Sequence, residues 1–81
     1  MVERVKQCLE DAFEGIKLDL EQFPEGRING SAVWSGFGGL DQVDRQQQLR
    51  AALRSELGAE ATQVGVILTY TPDEIHAMKA A

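Results

Sequence analysis

The chain has 81 residues, 43% of them hydrophobic, a formal net charge of −5 and a single cysteine. That length fits one domain with one core over residues 1–81, and the apolar content is too high for a disordered segment. One cysteine excludes an internal disulfide and any zinc site built on paired thiolates.

The first element is a helix over about residues 2–14. Val2, Val5, Leu9, Ala12, Phe13 and Ile16 fall at helical spacing, and Glu3 in the first turn suits the helix dipole. Gly15 reads as its stop signal. Cys8 sits beside the apolar stripe and reads as a structural, partly buried thiol. Ile16, Leu18 and Leu20 then alternate with Lys17, Asp19 and Glu21, the period of a strand with one wet face. Pro24-Glu25-Gly26 is turn chemistry, and residues 28–35 return as a second strand, so the two form a hairpin. Ile28, Gly30, Ala32 and Trp34 share one face, and the small residues Gly30, Ser31 and Ala32 leave room for a helix to pack.

Residues 36–39, Gly-Phe-Gly-Gly, break the chain into a turn. A helix over about 41–57 follows, with Val43, Leu49, Ala52, Leu53 and Leu57 as its apolar positions and Gly58 as its end. Asp41 and Arg45 stand at the favourable i,i+4 spacing for an ion pair. After a short connection, Val64 to Tyr70 form an apolar strand, nearly continuous, as expected for the centre of a sheet. Thr71, Pro72 and Glu74 supply the cap, the first helical position and the capping-box acid of a last helix, with Ile75 and Met78 facing inward. The order is α-β-β-α-β-α, an α+β domain.

Charge is distributed unevenly. Residues 1–26 hold seven acidic side chains against three basic, whereas 27–58 hold four Arg against three acids. Nucleic-acid affinity comes mainly from clustered Lys and Arg on phosphates. The only basic segment that could serve is Arg45, Arg50 and Arg54, with the Gly36, Gly38 and Gly39 turn offering backbone amides. Arg50 and Arg54 share a helical face, whereas Arg45 is rotated away from Arg50. A solvated helix face explains the same arginines, and two phosphate contacts would give only weak, salt-sensitive binding. Enzyme chemistry finds little support. The one His and one Cys have no nucleophile–base partner, the carboxylate pairs are explained by caps, and no nucleotide fingerprint is present. No catalytic residue, cofactor or metal ligand is expected. No run reaches the roughly 20 apolar residues of a membrane span, and Met1 to Phe13 lacks the apolar stretch of a signal peptide, so no membrane association and a cytoplasmic location are expected.

The Phe37–Gly39 turn, the helix carrying Asp44-Arg45 and closing on Glu56-Leu57, the β-branched strand ending in Thr69-Tyr70-Thr71 and the helix starting at Pro72 together resemble the BolA family. The resemblance covers the whole chain in element order and is specific in residues from about Phe37 onward. It implies a fold related to the type II KH domain, with a three-stranded sheet and helices mainly on one face. It also implies two roles: partnership with a monothiol glutaredoxin around a bridged [2Fe–2S] cluster, or DNA binding in stress and cell-shape regulation. The sequence departs from the family where the family has histidines. Gln46 follows the helix Arg, Gln63 stands at the start of the last strand, and the loop from Gln22 to Asn29 has neither Cys nor His. His76 lies outside any family motif. Residues 36–39 formally satisfy the GXXG of KH domains, although turn formation explains them equally well. The expectation is a non-catalytic binding or regulatory module that meets a protein partner without supplying cluster ligands, with nucleic-acid binding as the alternative.

Overall fold

A computed structural model describes residues 1–80 of the chain. The elements are α1 (Val2–Ala12), β1 (Lys17–Gln22), β2 (Ile28–Val33), a 3-10 turn (Ser35–Phe37), α2 (Gln42–Leu57), a 3-10 segment (Gly58–Gln63), β3 (Val64–Tyr70) and α3 (Pro72–Ala80). The expected order and the α+β class are observed, and α1 and α2 pack together on one face of a single three-stranded sheet. No helix among the described residues is long and apolar enough to cross a membrane.

The strand order is β1-β2-β3, with β1 and β2 antiparallel and β2 and β3 parallel. The central strand is therefore β2, and the expectation that residues 64–70 would be central is corrected. The tight turn after β1 returns the chain directly, with the Phe23 N–H donating to Arg27 O at 2.8 Å. A parallel neighbour needs a crossover of a dozen or more residues. The crossover through α2 delivers β3 to the remaining side of β2, where it becomes an edge. Ile67 and Thr69 on β3 are buried, but Val66 and Leu68 are 61% and 52% exposed on the bare face of the sheet. A nearly continuous apolar run reads alike whether its second face is covered or open, so periodicity alone did not separate the cases.

Three local details also differ from expectation. Helix α1 stops at Ala12, two residues early, because Phe13 leaves the helical path (φ −129, ψ 89) and puts its ring edge-on to Trp34, centroids 5.1 Å apart. Gly30 is small for a different reason than helix packing: a Cβ there would collide with the Asp19 carbonyl and Leu20 Cα of β1. Val43 on α2 is 63% exposed and Met78 on α3 is 58% exposed. The buried stripe of α2 is Arg45, Leu49, Leu53 and Leu57, a strict i,i+4 row that leaves Val43 on the opposite side. No residue of α3 is buried. That helix follows the edge strand and is tied at its first turn, where Thr71 Oγ1 accepts from the Glu74 N–H and Glu74 Oε1 accepts from the Thr71 N–H, the expected capping box.

Candidate functional site

Arg45 is the first candidate to be relocated. It is only 4% exposed, so it cannot belong to a basic surface. Its Nε donates to Leu40 O at 2.9 Å and one terminal nitrogen donates to Thr69 O at 3.3 Å. The two terminal nitrogens also grip the Glu74 carboxylate at 2.8 and 3.0 Å, and the guanidinium carbon lies 5.8 Å from the Phe37 ring centre. The expected partner, Asp41, instead caps α2, accepting from the Asp44 N–H at 2.9 Å. The bidentate fork of Arg suits this geometry better than a lysine would. Hydrogen bonding by Arg45, and then by the Thr71 N–H, holds the Glu74 carboxyl down to about 2, and the same pairing raises Arg45. Arg45 is thus the rivet between α2, β3 and α3.

The glycine turn has a packing explanation of its own. Phe37, the second residue of the GXXG match, is fully buried. A Cβ on Gly36 would enter the indole ring of Trp34, which is held by its Nε1–H donating to Glu14 O at 2.8 Å and by edge contacts with Phe13 and Phe37. Gly38 donates its N–H to Ser35 O at 3.1 Å, and Gly39 adopts φ +81, where other residues are strained. Gly36, Gly38 and Gly39 therefore seat the aromatic cluster, and none of them lies beside Arg50 or Arg54.

Arg50 and Arg54, in contrast, are exposed and come together. They stand on the rim of an open cleft of about 570 Å³ between α2, the Gly58–Gln63 segment and the outer flank of β3. Leu49, Leu53, Ala61, Val64 and Ile67 contribute its apolar lining, and Gly58, Thr62 and Gly65 keep its mouth wide. Gln46 lines one end of the cleft, and Gln42 stands one helical turn before it. Gln46 Nε2 donates to Ile67 O at 2.7 Å and Gln42 Nε2 donates to Thr69 O at 3.1 Å. These amides occupy carbonyls that an edge strand would otherwise offer to a neighbouring chain. No sequence signal marks this role, because residues 46–48 form a Gln run that reads as a wet helix face. The cleft itself was equally hidden, since its walls come from α2 and from residues 58–67.

Other reactive groups stand apart. The Cys8 thiol is buried and donates to Ala52 O at 3.4 Å. Burial pushes its pKa up, with Glu56 and Asp11 adding to the effect. His76 is exposed on α3. Among the described residues no three His, Cys, Asp or Glu side chains gather closely enough to hold a metal ion.

No protein-family model matches this sequence, and no curated protein matches it at a significant level. Solved structures do. The chain is 27% identical to BolA1 from Arabidopsis thaliana, with a TM-score of 0.73 over 89% of this chain and 92% of that one. A bolA protein homologue from Coxiella burnetii gives a TM-score of 0.78 at 21% identity, over 94% and 96% of the two chains. A bol-like protein from Babesia bovis gives 0.68 at 21% identity, over 95% and 91%. Taken with the element order and the capped last helix, these likenesses show that the chain has a BolA-like fold over nearly its whole length.

Proposed function

We propose that this chain is a non-catalytic BolA-like binding module that acts through a protein partner and supplies no cluster ligands of its own. The partner class suggested by the resemblance is a monothiol glutaredoxin or another iron–sulfur assembly protein. The observation that carries the reading is the engagement of Gln46. At the position where the family has a histidine, its amide is committed to the Ile67 carbonyl on the β3 edge. An amide in that bond serves the fold, and amides are poor ligands for iron compared with thiolate or imidazole.

The rest of the ligand geometry agrees. Gln63, which ends the 3-10 segment, offers only an amide, and the hairpin loop between β1 and β2 offers Phe23, Pro24, Glu25, Gly26 and Arg27. These residues do not fit a [2Fe–2S] cluster. A nucleic-acid role has lost part of its support, because Arg45 is buried and the glycine turn is separate from Arg50 and Arg54.

The test is capture of purified monothiol glutaredoxin by the immobilised protein, followed by visible absorption of the reconstituted mixture. Capture with the spectrum of glutaredoxin alone is the expected result. No capture would remove the partner class. A new spectrum lost in the His76→Ala variant would make His76 a ligand and overturn the reading.

A further inference from the structure

We infer that the cleft between α2 and β3 receives an extended acidic peptide segment of a partner, anchored by one bulky apolar side chain. This inference rests on the protein-partner reading above and assigns it a site. Three observations on the cleft carry it.

The first is charge. None of the residues lining the cleft is acidic, on a chain whose net charge is −5. Arg50 and Arg54 stand on the rim. Glu60, in the segment that walls the cleft, is engaged by Arg4, with N–O contacts of 2.9 and 3.0 Å. Arg50 and Arg54 thus give this opening a positive rim, and the complementary ligand is anionic.

The second is the floor. Leu49, Leu53, Val64 and Ile67 make it aliphatic, and no aromatic residue lines the cleft. Single-stranded nucleic acid is held by stacking bases on aromatic rings, with a basic track for the backbone. A floor without rings and two rim arginines do not provide that. A buried Phe, Leu or Ile side chain from a peptide fits an aliphatic floor, and a cavity of about 570 Å³ is ample for one such anchor.

The third is the blocked edge. With Gln46 on Ile67 O and Gln42 on Thr69 O, a peptide cannot add to that half of β3 as a strand. Recognition must therefore come from the side chain in the cleft and from carboxylates on the rim.

The test is a titration of the isotope-labelled protein, followed by amide chemical shifts. The probe is a blocked octapeptide with one Phe between two pairs of acidic residues. Shifts confined to residues 46–54 and 58–67 are expected. Affinity is expected to fall at least about tenfold when the Phe becomes Ser, and likewise in the protein variants Arg50→Glu with Arg54→Glu, and Thr62→Trp, whose ring would fill the mouth. All three positions are exposed, and the dispersion of the spectra reports whether each variant is folded. Shifts on the bare sheet face, equal affinity for the Ser peptide, or no shifts at millimolar peptide would overturn the assignment. So would a single-stranded oligonucleotide that perturbs the same amides at lower concentration. If glutaredoxin binds the wild type and these variants equally, the module reading stands and the cleft assignment falls.

Discussion

Truncating Arg45 should destabilise this domain far more than truncating either rim arginine. Among the described residues, Arg45→Ala removes the only side-chain donor to Leu40 O and both guanidinium donors to Glu74, which keeps the Thr71 N–H, whereas Thr69 O keeps the Gln42 amide at 3.1 Å. Leaving one carbonyl without its donor costs about 1–3 kcal/mol. Losing the cation over Phe37 costs about 0.5–1 kcal/mol. Removing the buried stem costs about 0.8 kcal/mol per methylene. The total expected loss is about 3–5 kcal/mol, a large share of the roughly 4–12 kcal/mol typical of a domain this size. Arg45→Met retains the stem and should lose about 1–3 kcal/mol, and Arg50→Ala should stay within about 0.5 kcal/mol of wild type. Urea unfolding followed by far-UV circular dichroism measures all three, with unchanged slopes confirming that the midpoint reports stability. An Arg45→Met variant as stable as wild type would refute the reasoning. It would show that the buried donors contribute nothing beyond what an apolar side chain provides, an outcome documented for some buried ion pairs.

The Glu74 carboxyl has a folded pKa of about 2, below its unfolded value of about 4.3. Its contribution should therefore be complete above pH 4.3 and fade as the pH falls through 2. The stability gap between wild type and Glu74→Gln should be flat from neutral pH down to about 5 and close between about 4.3 and 2; a gap unchanged at pH 2 would contradict this. Gly36→Ala should lower stability by at least about 1 kcal/mol and alter Trp34 fluorescence, because the new methyl meets an indole held by its hydrogen bond to Glu14 O; a variant with wild-type stability and emission would show that the ring has room. Cys8 should react with a thiol reagent at pH 8 much more slowly in the native protein than in urea, since it is buried with its pKa raised; equal rates would place the thiol at the surface.

Much of the fold was legible because it depends on short-range patterns. The alternation around Leu18 and Leu20, the hairpin turn at Pro24–Gly26 and the Thr71 cap are local rules, and each appears where the sequence put it. That Gln46 and Gln63 stand where the resemblance leads one to expect histidine was equally plain, since it needs no coordinates to be noticed. The site was much less legible. Asp41 and Arg45 looked like a surface pair at the right spacing, yet Arg45 lies on the same helical row as Leu49, Leu53 and Leu57 and turns inward to meet a carboxylate 29 residues away.

The sequence by itself determined the element order, the cap of the last helix and the presence of a single His and a single Cys. All of these follow from neighbours within about four residues or from composition. Only the tertiary structure decided that β3 is an edge, that Arg45 is buried while Arg50 and Arg54 frame a cleft, and that the glycine turn seats Trp34. Those outcomes depend on which distant surfaces meet when the α2 crossover carries β3 to the free side of β2. No local pattern encodes that choice, because the same apolar run or the same arginine serves inside or outside according to what packs against it.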